Sequence, residues 1–394
     1  MSFPTIVTTP RDYGFSITHR DGRARAGELY TTHGTIHTPA FAPVGTRGAV
    51  KGVTHRDLVG LGAELLLANT YHLHLRPGER LIARAGGLHR FIGWDGPILT
   101  DSGGYQVFSL GDRRQIDEDG AVFRSHLDGS LHRLTPENAT DIQARLGSDI
   151  AMVFDECTSY PVSSSQAEAS MRRTVRWARR GRDRFQAIAT GAVALEGDVT
   201  NPSQAQFGIV QGGVFERLRE ESARETVAIG FEGYAIGGLS VGEPVEVMYE
   251  ITSGTAALLP EPAVRYLMGT GMPDDLVESV ARGIDLFDCV LPTRNARNGQ
   301  LLTRRGPLSI KQARFAEDHR PPDPECGCYT CQHYSRAYLR HLFVTREMTA
   351  STLNTLHNLH FYLDTMRRMR EAIVFGAFES FRERFHESFT RRSR

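Results

Sequence analysis

The sequence predicts an α/β fold, a (β/α)₈ TIM-type barrel carrying a smaller C-terminal subdomain. Three observations carry that prediction. Short apolar runs alternate with capped helical segments along most of the chain. Those runs are continuously apolar rather than alternating, the mark of parallel strands covered on both faces. After Gly306 the composition changes, through the proline-rich stretch 321–324 into a cysteine cluster and then helical, arginine- and histidine-rich sequence. At 394 residues the chain exceeds what one core comfortably fills, roughly 250 to 300 residues, so a large domain with a satellite is expected. We place the barrel, with an N-terminal elaboration, at 1–306 and the subdomain with its C-terminal helices at 307–394.

Candidate strands lie at 65–68, 97–100, 150–154, 207–210, 234–236, 264–268 and 284–287. Helices fall between them with readable ends. Thr135 caps a helix opened by Pro136 and closed by Gly147; others span 164–185, 215–229 before Gly230, and 274–282 before Gly283. With at least seven strands alternating with helices, a closed barrel is favoured over a doubly wound sheet, and no glycine-rich dinucleotide fingerprint opens a helix. Beyond the cysteines, 354–370 reads as a helix, and Arg391, Arg392 and Arg394 form a basic tail.

The chain carries 46 basic and 46 acidic residues, so any contact with nucleic acid must come from local patches rather than from a generally cationic surface. All but two of the basic residues are arginine, the exceptions being Lys51 and Lys311. No apolar run approaches the roughly 18 residues of a membrane helix, and the start lacks the pattern of a secretory leader, so a cytoplasmic protein is expected. Hydrophobic residues make up 40%, enough to exclude a disordered chain.

Chemistry gathers at the strand ends, where the loops of a parallel barrel converge on one mouth. The run 97–100 leads into Asp101-Ser-Gly-Gly-Tyr105, the run 150–154 into Asp155-Glu-Cys157, the run 207–210 into Gln211-Gly-Gly213, and 284–287 into Asp288-Cys289. One aspartate after a strand is usually a turn residue or helix cap. Three carboxylates and an amide in that position point to a polar pocket. Two carboxylates facing one sugar carbon are what glycosidic-bond chemistry needs, one as nucleophile and one as acid and then base. Asp285, three residues before Asp288, faces the other way along an alternating strand and reads as structural.

Six blocks make the substrate class specific: Asp101-Ser-Gly-Gly-Tyr-Gln-Val-Phe, Phe154-Asp-Glu-Cys-Thr, Gly208-Ile-Val-Gln-Gly-Gly, Tyr234-Ala-Ile-Gly-Gly-Leu, Arg265-Tyr-Leu-Met-Gly, and Phe287-Asp-Cys-Val-Leu-Pro-Thr-Arg-Asn-Ala-Arg-Asn-Gly. Between about Phe15 and His357 the chain resembles the bacterial-type tRNA-guanine transglycosylases (the queuine tRNA-ribosyltransferase family), with the blocks in family order. The resemblance implies a pentosyltransferase of queuosine biosynthesis, exchanging guanine 34 of a tRNA anticodon stem-loop for preQ1 through a covalent aspartyl-ribose intermediate. It implies Asp288 as nucleophile and Asp101 as general acid and base. Asp155, Gln211, the Gly238 N–H and the Leu239 carbonyl match positions on the base edge, Tyr105 and Met268 those on its two faces, with Ser102 and Asn69 nearby. Aromatic and apolar faces suit a flipped base, which has left its neighbours in the RNA stack. Arg294 and Arg297 match positions that contact nucleotides beside the target.

Cys326, Cys328 and Cys331 crowd into six positions, a metal-binding rather than a disulfide pattern. Spacing leaves His333, His341, His357 and His360 as possible fourth ligands; the motif context shared with the family implies His357. Three thiolates and one imidazole make a closed tetrahedral site, so one structural Zn²⁺ per chain is expected. A zinc deaminase is excluded, since its open metal position and paired His-x-Glu motif are missing. The family also implies a homodimer, with Tyr334, Tyr338 and His341 in the contact region.

Cys157 and Val241 resemble the bacterial pocket, and no long RNA-binding domain follows the cysteine cluster, unlike the archaeal branch. A non-catalytic subunit that merely positions tRNA would lack the carboxylates that this chain keeps at 101 and 288. A nucleoside hydrolase, in which water resolves the intermediate, is the remaining alternative.

Overall fold

Eight parallel strands form the centre of the molecule: β1 (Ala40–Pro43), β2 (Leu66–Ala68), β3 (Ile98–Thr100), β4 (Ile150–Met152), β5 (Ala205–Val210), β6 (Gly233–Ile236), β7 (Val264–Leu267) and β8 (Leu286–Cys289). This computed structural model describes residues 13–108, 114–195 and 199–389; the tail arginines Arg391, Arg392 and Arg394 lie outside them. The strands are hydrogen-bonded in the order β1-β8-β7-β6-β5-β4-β3-β2. A parallel bridge between Val44 and Leu67, with the Gly45 amide donating to the Leu67 carbonyl at 2.7 Å, brings β1 against β2 and closes the ring. The barrel expected from sequence is present.

The helices end where local chemistry says they should. Thr135 and Asn138 form a reciprocal capping box at the head of Pro136–Leu146, and Gly147 closes that helix in the left-handed region at φ +69°. Ser163 and Gln166 do the same for Ser164–Ala189. Most arginines of that helix are paired, among them Arg176 with Glu118, Arg180 with Glu137, Arg173 with Glu156 and Arg184 with Asp141. Its basic stripe is therefore a largely neutralised surface rather than a free cationic face.

An antiparallel sheet of Gly14–Asp21, Ala24–Thr31 and Gly34–Thr38 covers the barrel floor. Ala24, Ala26, Leu29 and Ile36 share one apolar cluster with the barrel strands. Arg25 anchors the sheet through a buried, fully bonded ion pair. It reaches Asp285 at 2.7 Å and the carbonyls of Glu261 and Ala263 at 2.8 and 2.7 Å, while the Arg265 amide donates to the other Asp285 oxygen. Asp285 thus ties the floor together on the side away from Asp288. A second antiparallel sheet, Arg114–Ile116, Ala121–Arg124 and Leu131–Leu134, is inserted between β3 and β4.

The C-terminal part contains a hairpin, Gln300–Thr303 with Gly306–Ser309, the short helices Tyr329–His333 and Arg336–Val344, the long helix Met348–Val374 and the final helix Phe378–Ser388. Leu301, Leu308, Ile310, Phe315, Leu339, Leu342 and Leu353 make a small cluster of their own. Further along the long helix, Phe361, Tyr362, Met366, Met369 and Ile373 enter the main barrel cluster instead. Among the described residues, no helix is long and apolar enough to cross a membrane.

Candidate active site and metal cluster

The C-terminal ends of the strands open into a cavity of about 340 Å³. Its wall includes Asn69 after β2, Asp101, Ser102 and Tyr105 after β3, Asp155 and Cys157 after β4, Gln211 after β5, Gly238, Leu239 and Val241 after β6, Met268 after β7, and Asp288 on β8. The residues expected to catalyse, and those expected to hold a base, converge on one space. Arg294 and Arg297 are not part of that wall; they sit on the helix Leu291–Arg297 directly after β8, Arg294 exposed and Arg297 half-buried.

Asp101 is buried and heavily bonded. The Asn69 amide donates to Oδ2 and the Thr70 N–H to Oδ1 at 2.9 Å. Burial raises its carboxyl from 3.8 to about 6; the Asn69, Thr70 and Gln106 hydrogen bonds oppose the rise, and the charge of Asp288 adds to it. A carboxyl in that range can hold a proton near neutrality and release it, as an acid that later serves as base must.

Asp288 is held differently. Its Oδ1 accepts the Tyr266 hydroxyl at 2.6 Å and the Gly269 N–H at 2.9 Å. Two donors on one oxygen restrain the carboxylate and leave these bonds on Oδ1 alone. Burial raises its carboxyl also, and the two donors restrain that rise by favouring the ionised form. Burial thus raises both carboxyls, Asp101 to about 6, while at Asp288 two donors share one oxygen and favour the ionised form.

A third carboxyl sits opposite a matched amide. Asp155 accepts from Ser102 Oγ at 3.0 Å and from Gln211 Nε2 at 2.8 Å. Burial raises Asp155 while Gln211 and Ser102 counter it. The backbone is fitted to this pair. Gly238 has φ +65°, and a Cβ there would lie 2.2 Å from Gln211 Oε1; a Cβ on Gly104 would lie 2.5 Å from the Asp155 carbonyl. Tyr105 is 56% exposed, which leaves a ring face free at the mouth, with the Met268 side chain also in the wall.

Sequence reasoning does not single out Tyr266, Gly269, Thr70 or Gln106. Tyr266 has a signal that could have found it, because β7 pairs in register with β8 as Tyr266 with Leu286, and period-two alternation then puts Tyr266 on the face of Asp288. The backbone donors have no sequence signal.

Cys326, Cys328, Cys331 and His357 come together, as their ligand atoms all lie within 4.8 Å of one another. His357 Nδ1 is 3.8, 3.4 and 3.3 Å from the three sulfurs in that order. Metal–sulfur bonds of about 2.3 Å and metal–nitrogen bonds of about 2.0 Å in a tetrahedron put S and N about 3.6 Å apart, so the four side chains fit a metal ion. The other ring nitrogen, Nε2, donates to the Leu302 carbonyl at 2.7 Å, which fixes the tautomer with Nδ1 free to ligate. A second cavity, about 400 Å³, lies beside the cluster between Arg304, Asp323, His360, Asp364, Arg368 and Arg384. Its charges are mixed and it holds no constellation like that of the mouth.

Comparison with known proteins agrees with this geometry. Residues 21–391 match the family described as queuine tRNA-ribosyltransferase. The chain belongs to the queuine tRNA-ribosyltransferase family. Relatives carrying that name include those of Pelotomaculum thermopropionicum, 54% identical over 94% of this chain and 97% of the relative, and Syntrophobacter fumaroxidans, 54% identical over 94% and 96%. The protein of Moorella thermoacetica is 52% identical over 95% of this chain and 97% of its own. Queuine tRNA-ribosyltransferase membership therefore extends over barrel and metal cluster together.

Proposed function

We propose that this protein is a tRNA-guanine transglycosylase of queuosine biosynthesis that exchanges guanine 34 of the anticodon stem-loop for preQ1. The observation that carries the reading is the pairing of Asp101 and Asp288 in one cavity with Asp155 and Gln211. Asp288 Oδ2 attacks C1′ of the target ribose, and the C1′–N9 electron pair leaves with guanine. Asp101 supplies the proton that neutralises the departing base. In the second half the incoming base gives a proton to Asp101, its N9 bonds to C1′, and the Asp288 carboxylate is released. The glycosidic bond energy stays in the ester and is not lost to water.

Asp155 and Gln211, with the Gly238 N–H and the Leu239 carbonyl, read the base edge, since together they offer both donors and acceptors. Tyr105 and Met268 cover its faces, with Ser102 and Asn69 holding the two carboxylates beside them. Arg294 and Arg297 meet phosphates next to the target, where a planar guanidinium suits two oxygens. Zn²⁺ held by Cys326, Cys328, Cys331 and His357 is structural, because four protein ligands leave no position for substrate. The stacked rings of Tyr334 and Tyr338, 5.6 Å apart with Tyr338 exposed, and the neighbouring His341 suit a contact between two copies of the chain.

The test is incorporation of labelled guanine and of preQ1 into an anticodon stem-loop, together with trapping. A denaturant-resistant protein–RNA adduct that disappears in Asp288→Asn, with label entering the RNA, supports base exchange. Release of guanine without incorporation supports the hydrolase reading instead.

A further inference from the structure

Behind the cavity, the turn that carries Gln211 is gripped by one face of the helix Glu216–Ile229. Arg219, 1% exposed, donates from Nε to the Gly213 carbonyl and from Nη1 to the Val210 carbonyl, each at 2.8 Å. Gln211 lies between those two carbonyls in the chain. Nearly one helical turn on, and on the same face, the buried Ser222 hydroxyl accepts the Gln211 N–H at 3.1 Å. The helix comes this close because position 212 is glycine: a Cβ there would lie 3.0 Å from the Arg219 nitrogen.

Arg219 is absent from the cavity wall and makes no ion pair among the described residues; its bonds go to backbone carbonyls. Burial draws the guanidinium from 12.5 down to about 10, which leaves it protonated near neutrality. A buried cation without a carboxylate is a costly way to fill a core. What it supplies, and an apolar side chain or a lysine does not, is two donors at a fixed spread from one planar group.

We propose that Arg219 is a positioning residue for base recognition: by joining the Val210 and Gly213 carbonyls it sets the backbone from which the Gln211 amide meets Asp155. The inference rests on the transglycosylase reading of the cavity. Without the guanidinium the Gly213 carbonyl loses its donor and the turn can relax, so that Gln211 Nε2 is free to leave its 2.8 Å contact with Asp155. The Val210 carbonyl still accepts the Gly237 N–H at 3.1 Å, which keeps β5 paired in the variant. Asp101 and Asp288 are held by donors of other strands and loops, Asn69 and Thr70 for the first, Tyr266 and Gly269 for the second. The loss therefore falls on the KM for the free base rather than on kcat.

Exchange of labelled guanine into the anticodon stem-loop is measured for wild type, Arg219→Met, Arg219→Lys, Gln211→Ala and the double variant Arg219→Met with Gln211→Ala. Arg219→Met should raise the guanine KM about tenfold with kcat little changed, and Arg219→Lys, whose ammonium lacks the fixed fork, should fall between it and wild type. In the double variant the guanine KM should stand no higher than in Gln211→Ala alone, because the arginine acts through that amide. Effects that multiply in the double variant overturn the proposal, as does a fall in kcat that matches the rise in KM. A guanine KM unmoved in Arg219→Lys overturns it as well, even where Arg219→Met fails to fold. Wild type that exchanges no guanine refutes the enzymatic reading itself and takes this inference with it, so the two failures are told apart by the wild-type rate.

Discussion

The Tyr266 hydroxyl and Asp288 meet through a single oxygen, Oδ1, so the phenol steadies the carboxylate without occupying the oxygen to which the proposed reaction assigns the attack. Hydrogen bonds to charged groups are worth about 1.5–3 kcal/mol, and this one favours the ionised form. Tyr266→Phe should therefore raise the Asp288 carboxyl further and shift the acid limb of kcat/KM to higher pH, with a loss on the order of tenfold at the acidic end that shrinks toward pH 8. Initial rates of guanine exchange across pH 5 to 9 measure it. An unmoved limb would show that Tyr266 does not tune the nucleophile.

Asp101 links catalysis to stability through pH. Its folded value, about 6, lies above the ordinary 3.8. Its contribution to stability is thus fully present below pH 3.8 and is lost as pH rises through 6. At about 1.4 kcal/mol per unit, the ionised buried side chain costs folding on the order of 3 kcal/mol above that range. Asp101→Asn should lose exchange activity yet melt higher than wild type at pH 8, the gap shrinking to about half by pH 5. Thermal denaturation of both proteins at the two pH values decides it.

Gly238 is a position where one methyl group should weaken base binding. Its left-handed φ and the 2.2 Å approach of a Cβ to Gln211 Oε1 require the amide of Gln211 to swing away from Asp155. Gly238→Ala is expected to raise KM for the free base more than tenfold, with the metal content unchanged. Binding of guanine by calorimetry separates this from a folding defect.

Removal of the thiolate-bound metal should act on stability rather than on chemistry. His357 is completely buried and its neighbours are thiols packed at 3.3 to 3.8 Å, an arrangement that fits a cation between them. Cys328→Ala should lose the ion and unfold at markedly lower temperature. Residual folded protein in the cold should still form the Asp288 adduct, which gel mobility under denaturing conditions reveals.

Arg294 and Arg297 stand just outside the cavity wall, and their contribution is expected in RNA affinity alone. Replacing both with Ala should weaken binding of the stem-loop and make it less sensitive to salt. The slope of log K against log salt should become shallower by about 0.7 for each single-strand phosphate that is no longer neutralised. Fluorescence anisotropy between 50 and 200 mM salt would show it, and an unchanged slope would remove them from the interface.

Much of the barrel could be read in the sequence because its strands are unbroken apolar runs ended by polar residues, a pattern with few competing interpretations. The exception is β1. Its four residues, Ala-Phe-Ala-Pro, follow Pro39 and end in Pro43, and proline inside so short a run argues against a strand. It forms because one edge pairs with β8 along its whole length, beginning with the Ala40 amide on the Asp285 carbonyl, while the other edge carries only the bridge from Val44 to Leu67. The inserted sheet between β3 and β4 is equally hidden, since strands such as Leu-His-Arg-Leu carry no strong period. At the site, groups placed on strand ends announce themselves by position. Tyr266 does not, because a tyrosine within an apolar strand ordinarily belongs to the core.

The helix Met348–Val374 carries the imidazole of His357 in its third turn and, little more than a turn later, buries Tyr362 against Phe41 of β1 with its hydroxyl on the Gly271 carbonyl. Cutting the chain after Gly306 would strip Phe361, Tyr362, Met366, Met369 and Ile373 from the barrel's main apolar cluster and leave their seat wet. The loop from Met268 to Gly271, which carries the Gly269 amide, would lose its backing at the same stroke. The barrel is therefore no self-sufficient module with an ornament attached; the second half of this helix is part of its masonry, and a shortened chain should be recovered as aggregate rather than as a slow enzyme.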